Sequence, residues 1–483
     1  MVLGHFRRHG IRLAAAVAVI AGLMALSGSV SAQEASPGRD GKIKSILANP
    51  SLRGAQVGIL AKSLATGRVL YQRNAQVPLI PASTNKVVTS AAALSVLGPK
   101  FRFRTEIYTD GPVSADGTVT GNLYIKGYGD PSITVEEAWL IAHEIHGHGI
   151  RRVTGDLIGD ESYFDDVRFY DAWGFDQPRS YATPLSALSF NWNTVQAYVA
   201  PAAQANQPAH VTLNPEADLI TLVNKVKTCG KCSARISGGL SNNTFVVRGR
   251  IPVGGDSRTA FAPVEEPLPF AVSALRKFLE KEGVEIAGAD RAGIVPPEAS
   301  RLMSHKSREL SQILRYLMRF SNNLTAECVQ RTVGVQKFGA PATREKAVEA
   351  VTSFLKTNGL YHDGIVVDDG SGLSRNNRQS PESLVGILYH MSRQPELFAE
   401  YLEMMAIGGV DGTLANRFNN SALEHRVRGK TGYLWGVVTL AGYTWNSAGE
   451  PYAFAVMVND PPKNASVRSV QQRIEEIVLA LME

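Results

Sequence analysis

Residues 81–94 read PASTNKVVTSAAAL. A polar cluster, Ser83-Thr84-Asn85-Lys86, runs straight into an apolar stretch, and its reading decides the fold. The cluster suits a helix N-terminus, with Ser83 as cap and Lys86 turned to solvent. It also suits a nucleophilic serine whose base sits one helical turn away, because residues i and i+3 share a helix face. On that second reading Ser83 starts the helix, and Lys86 is buried between Ser83, Ser321 and Lys430.

The bulk properties narrow the setting. Arg7, Arg8 and Arg12 precede an apolar run from Leu13 to Leu26, and Val30-Ser31-Ala32 offers small residues for cleavage. This has the flanks of a secretory leader and is short for a bilayer span. Its removal after Ala32 leaves 451 of 483 residues and lowers the net charge from +6 to +3. So slight an excess does not argue for nucleic acid, and no later apolar run approaches membrane-spanning length. The chain has three cysteines. Cys229 and Cys232 suit a small disulfide or two free thiols, with no second pair to complete a zinc site. Cys328 lies in an apolar helical stretch and reads as core. The run from His143 to His148 lacks metalloprotease spacing and reads as a surface helix.

Both chain ends carry the same texture. Residues 56–73 alternate around Ala-Thr-Gly as a β-hairpin, and a helix follows from Ser83 to about Gly98. Near the C-terminus, 427–433, 437–445 and 452–458 read as strands, and 467–482 has helical apolar spacing. The ends therefore complete one sheet of an α/β domain. The middle is Gly- and Thr-rich, with runs such as TVTGNLYIKGYGDPS and VTGDLIGDESYF that read as hairpins. The organisation expected is a catalytic domain over 33–104 and 296–483, an inserted domain over 105–200 and 263–295, and a second insert over 201–262.

Three motifs carry the chemistry: Ser83-x-x-Lys86, Ser321-Asn322-Asn323 and Lys430-Thr431-Gly432. Singly each is weak, but S-x-x-K, S-x-N and K-T-G recur in this order in serine enzymes that handle β-lactams. A serine hydroxyl needs a neighbouring base, and a lysine serves when burial and a second cation, here Lys430, lower its pKa. The Ser83 N–H at a helix start and the Tyr433 N–H suit an oxyanion. Ser321 can relay a proton to the leaving amine, Asn323 can hold the substrate amide, and Lys430 with Thr431 can anchor a carboxylate.

The chain thus resembles the class C low-molecular-mass penicillin-binding proteins, D-alanyl-D-alanine carboxypeptidase/endopeptidases of the penicillin-binding protein 4 type. The 234 residues between Lys86 and Ser321 match the nested inserts of that family. So do LYIKGYGDPS (123–132), YATPLSALSFNWN (181–193), VVDDGSGLSRNN (366–377) and GVDGTL (409–414). The resemblance implies a five-stranded antiparallel sheet between helices, with two nested, mostly β inserts. It implies action on peptidoglycan stem peptides through an acyl-enzyme, covalent inhibition by β-lactams, no metal or cofactor, and a periplasmic location free of integral membrane contact. It further implies that Asp160 and Arg375 read a meso-diaminopimelate side chain, carboxylate to ammonium and guanidinium to carboxylate. One departure stands out: after Gly432 the chain reads Tyr433-Leu434-Trp435, where relatives carry a small hydroxyl residue. Trp435 is therefore expected to line the side-chain subsite. A serine β-lactamase and an inert wall-binding protein on the same fold are the rival readings, and a homodimer is left open.

Overall fold

The computed structural model describes residues 37–483, so the expected leader lies outside the described residues. Its central element is an antiparallel sheet in the order Ala406–Ile407, Arg428–Leu434, Val437–Trp445, Pro451–Asn459, Gln56–Ser63, Val69–Arg73. Five of these strands are long, and the sixth is a two-residue edge. The N-terminal hairpin pairs directly with the last strand, Ile59 opposite Val456, so both chain ends do close one sheet.

The sheet is covered on both faces, which explains its sequence. In Pro451–Asn459, Ala453, Ala455 and Met457 face one core, and Tyr452, Phe454, Val456 and Val458 face the other. A strand buried on both sides reads as a continuous apolar run with no alternation. Helices Pro37–Leu47 and Val467–Met482 cover the second face. On the first face lies the helix Lys86–Leu97, in which every residue from Lys86 to Leu94 is buried. A helix apolar all round belongs in the middle of a fold. It is enclosed by helices Leu310–Phe320, Asn323–Phe338, Arg344–Thr357, Pro381–Ser392 and Pro395–Glu403.

The long insertion leaves and returns through adjacent strands. Arg102–Thr109 follows the Lys86–Leu97 helix and pairs antiparallel with Ser300–Glu309, which runs into the helix Leu310–Phe320. The helix Leu310–Phe320 therefore begins beside the end of Lys86–Leu97, with the Leu310 N–H donating to the Phe101 carbonyl at 2.8 Å, and runs back along it to bring Ser321, its C-cap, toward Ser83. The same two strands belong to a five-stranded sheet, Asp290–Ala292, Leu157–Asp160, Leu123–Gly127, Arg102–Thr109, Ser300–Glu309, packed with helices Val135–Gly147 and Pro267–Lys281. Two three-stranded sheets follow, one of Thr194–Ala200, His210–Asn214 and Arg258–Pro263, the other of Thr221–Cys229, Arg235–Ser241 and Thr244–Pro252.

The expected hairpins at 118–132 and 153–164 are corrected. Leu123–Gly127 pairs parallel with Leu157–Asp160, and Thr118–Val119 pairs parallel with Arg152–Val153. Parallel neighbours need a crossover, and the helix Val135–Gly147 supplies it. That helix carries the histidine run, with His143 stacked on Trp139 and its Nδ1 2.9 Å from Glu282. Cys229 is bonded to Cys232, and Cys328 is buried.

One buried cation fastens the insertion to the helix that begins at Asn323. The Arg331 guanidinium, fully buried, donates to Asp165 (2.7 Å), the Tyr170 hydroxyl (3.1 Å) and the Ala342 carbonyl (3.2 Å). Removing one partner of such a pair strands the other in a dry site. Arg331→Ala should cost about 3–5 kcal/mol, read as a lower urea midpoint.

Candidate active site

Ser83 does not cap or open an α-helix. It lies inside a short 3-10 turn, Ala82–Asn85, that leads into the Lys86–Leu97 helix, and no side chain caps either start. Ala82 has φ +47°, a left-handed conformation that costs a non-glycine residue energy and persists only where surroundings impose it. The surroundings are visible. The Pro81 carbonyl accepts from Thr84 (2.6 Å) and from Thr439 (2.8 Å) on the central sheet. Gly432 closes the other side, because a Cβ there would lie 2.7 Å from the Pro81 carbonyl and 3.1 Å from the Ser83 nitrogen. The glycine of the third motif is what lets its strand lie against the serine turn.

Lys86 is wholly buried, as its mechanistic reading requires. Its ammonium donates to Ser83 Oγ at 2.9 Å, Asn323 Oδ1 at 2.6 Å and the Ser371 carbonyl at 2.5 Å. Burial brings its pKa down to about 7, against the opposing pull of Asp369 and Glu327. Two details of the expected arrangement change. Burial, not Lys430, lowers Lys86. And Lys86 touches Asn323, while Ser321 belongs to Lys430, whose Nζ lies 2.9 Å from Ser321 Oγ and 2.7 Å from the Thr431 carbonyl. Lys430 is also fully buried, and burial first, then the charge of Lys86, push it well below the ordinary lysine range.

Ser321 itself is held at φ +60°, the left-handed C-cap of Leu310–Phe320. Asn322 then caps the next helix through the Thr325 N–H, which sets Asn323 at its first position. The Asn323 amide nitrogen donates to the Tyr181 carbonyl at 2.6 Å, so the insertion supports this side chain directly.

Sequence reasoning missed the segment behind the lysine. Asp369, Gly370 and Ser371 offer three successive carbonyls, to Asn85 Nδ2 (2.8 Å), Thr89 Oγ1 (2.7 Å) and Lys86 Nζ (2.5 Å). The N–H groups of Gly370 and Ser371 donate to Glu327 at 3.2 and 2.8 Å. Asp369 accepts from Trp173, Gly372, Ser374 and Asn377. Burial, and then Asp369, raise the Glu327 carboxyl to about 7. The available signal was the stretch 366–377 itself, Gly-rich and acidic with no role attached.

The third-motif strand presents an open edge. Gly408 N–H donates to the Val427 carbonyl at 3.0 Å, and the pairing with Ala406–Ile407 stops at Gly429. Backbone groups alternate sides along a strand, so the odd-numbered residues, Tyr433 among them, turn their N–H to that uncovered edge. From this strand Thr431 Oγ1 donates to Thr413 Oγ1, in the short turn Gly412–Leu414, at 2.8 Å. The exposed Tyr433 and Trp435 side chains follow, and Arg375 donates to the Trp435 carbonyl at 2.9 Å.

Asp160 is not brought to this group. It is fully buried, with its carboxylate taken by Lys126 Nζ and by the N–H groups of Ser162 and Val295, each at 2.8 Å. Burial alone would raise its pKa, but these partners hold it below the usual range. An acid already saturated inside the fold is not open to a substrate ammonium.

Comparisons with known proteins agree with this geometry. The family model described as D-Ala-D-Ala carboxypeptidase 3 (S13) matches residues 40–480. The D-alanyl-D-alanine carboxypeptidase of Actinomadura sp. (strain R39) is 35% identical over 86% of this chain and 80% of its own length. The D-alanyl-D-alanine carboxypeptidase DacB of Haemophilus influenzae is 28% identical over 84% of this chain and 86% of its own. The crystal structure of penicillin binding protein 4 (dacB) from Haemophilus influenzae superposes with a TM-score of 0.75 at 25% identity, covering 90% of this chain and 98% of that one.

The Glu327–Lys86 pair makes a pH prediction. A neutral Lys86 is the competent base, so acylation of Ser83 by a fluorescent penicillin should rise with pH through about 7. A charge on Glu327 favours the ammonium of Lys86. Glu327→Gln should therefore move the rising limb to lower pH in stopped-flow acylation. An unmoved limb would show that Glu327 carries no charge the lysine feels.

Proposed function

Because the chain belongs to the D-Ala-D-Ala carboxypeptidase 3 (S13) family, we propose that it is an exported serine DD-peptidase whose nucleophile is Ser83, acting on peptidoglycan stem peptides. The observation that carries this reading is the 2.9 Å contact between Ser83 Oγ and a wholly buried Lys86 with a pKa near 7.

The reaction divides into two displacements. Ser83 Oγ attacks the carbonyl carbon of the penultimate D-Ala while its proton passes to neutral Lys86 Nζ. The N–H groups of Ser83 and Tyr433 take the developing oxyanion. The C–N bond then breaks, and the leaving amine takes the proton that Lys86 received, relayed through Lys430 and Ser321, leaving an ester on Ser83 and Lys86 neutral again. Water, giving its proton to the Lys86 side, attacks the ester and releases the acid and the free serine. Lys430 is too buried to grip a terminal carboxylate, so Thr431 with Thr413 supplies hydroxyls for that group. Asn323, expected to hold the substrate amide, holds Lys86 and keeps its own place through Tyr181, a positioning role.

A β-lactam acylates the same serine by opening its ring, with no leaving amine to depart, so the adduct blocks the site. The strand edge from Lys430 onward admits the substrate backbone as an added strand. Arg375, fixed to the Trp435 carbonyl, sets the side-chain subsite, where its guanidinium meets an acidic stem-peptide residue. A wide, exposed aromatic edge at Tyr433 and Trp435, in place of a small hydroxyl, favours cross-linked as well as terminal substrates. The leader expected over 1–32 supports export to the periplasm.

Two outcomes test the reading. Ser83→Ala should abolish penicillin labelling and reduce D-Ala release at least about 10³-fold, measured on purified muropeptides; labelling that persists elsewhere would overturn the assignment. Arg375→Ala should raise KM about tenfold for peptides bearing a free carboxylate on the side chain of the diamino acid, equal to ~1.4 kcal/mol, with kcat retained. Equal KM for both enzymes would remove Arg375 from the subsite.

A further inference from the structure

The small overall charge conceals a concentrated one. Between residues 201 and 262 lie seven cations, Lys225, Lys227, Lys231, Arg235, Arg248, Arg250 and Arg258, against three acids, Glu216, Asp218 and Asp256. Two of those acids are engaged elsewhere, Asp218 by Lys277 and Glu216 by Lys281, on the helix Pro267–Lys281.

Register places five of the cations on one surface. In the sheet Thr221–Cys229, Thr244–Pro252, Arg235–Ser241, Lys225 stands opposite Arg248, Lys227 opposite Arg250, and Arg250 opposite Arg235. Directly paired residues share a face, as do residues two apart along a strand. The remaining positions of this face are Thr221, Val223 and Cys229, Thr244, Val246 and Pro252, and Ser237, Gly239 and Ser241. None is acidic. All five cations are exposed, while Val226, Phe245, Val247 and Ile251 on the reverse side are buried. The reverse side packs inward, since a Cβ on Gly238 would meet the Phe245 ring and the Phe261 carbonyl. Among the described residues none of the five cations forms an ion pair, although unpaired like charges on neighbouring strands repel.

We propose that this basic sheet face docks the protein on a bilayer surface rich in anionic phospholipid. A polyanion is the complement of five cations with no acid among them. The planar form favours a surface over a strand: the charges spread across three strands spaced about 4.8 Å apart, whereas a linear polyanion is followed by a groove. Pro252 on the face and the 39% exposed Val253 just beyond it add an apolar edge, beside the disulfide-closed turn that carries Lys231. Each cation brought near an anionic bilayer surface adds to the attraction, so five on one face suffice for reversible docking. The face acts independently of Ser83, and its test does not depend on the peptidase reading.

The experiment is co-sedimentation of the mature chain with vesicles of phosphatidylglycerol mixed with phosphatidylcholine, beside vesicles of phosphatidylcholine alone. Binding is expected only to the anionic vesicles, at about 0.1 M salt, and should vanish near 1 M, where the Debye length falls to about 3 Å. Lys225→Glu with Lys227→Glu, and separately Arg248→Glu with Arg250→Glu, should each lower partitioning at least about tenfold with penicillin labelling unchanged. Where a Glu pair loses labelling, the corresponding Gln pair that keeps it is measured in its place. Equal binding to neutral vesicles, or variants that partition like the parent, would overturn the proposal. So would soluble polyphosphate that displaces the protein at a lower charge concentration than the vesicles present, which would identify a linear polyanion instead.

Discussion

Burying one lysine ammonium is the constraint around which the catalytic half of the molecule is arranged. An isolated charge taken from water into a protein interior is expensive unless hydrogen bonds replace its hydration. Lys86 receives three acceptors, from the serine turn, the helix of the second motif and the 369–371 segment. Each comes from a different part of the chain, so the lysine cannot be satisfied until all three are assembled. The same burial that makes the residue costly brings its pKa near neutrality and fits it for proton transfer.

The neighbourhood is tuned by opposing effects of similar kind. Glu327 and Asp369 favour the ammonium, and burial disfavours it. The acids are themselves fastened by backbone N–H groups, which keep the negative charge in place without letting it pair directly with the lysine. For Lys430, burial and the charge of Lys86 act in one direction, both against the ammonium. Backbone strain at Ala82 and Ser321 falls at the two serine motifs, where packing from Gly432 and the helix junction at Asn322 imposes it. The long insertion disturbs none of this, since it departs and returns through paired strands and then braces the site at Tyr181 and Arg331.

Much of the site was legible because catalysis constrains residue type at short spacing. Ser83 and Lys86, three apart, and Lys430 with Gly432 announce themselves locally. The hairpin at 56–73 and the three C-terminal strands were legible for a similar reason, as turn residues separate their apolar runs. The pairing of 123–127 with 157–160 was misread because a short strand looks alike in a hairpin and in a crossover unit, and only the helix between them decides. The partners of Asp160 were not legible either, since a motif shows that an acid is present, not that Lys126 already occupies it. Glu327 went unnoticed for want of any pattern: a single acid on a helix acquires meaning only from the two N–H groups that meet it.

The sequence by itself determined which groups can react, the serine, its lysine and the second serine–lysine pair, because reactivity resides in residue type and local spacing. It also determined that the two chain ends build one buried sheet, since strands covered on both faces must be apolar throughout. Only the tertiary structure decided that Ser321 is served by Lys430 while Lys86 takes Asn323, since the two lysines are chemically identical until burial and hydrogen-bond partners distinguish them. It likewise decided that five cations scattered over twenty-six positions form one uninterrupted basic face, because register between strands is a long-range property that no local pattern encodes.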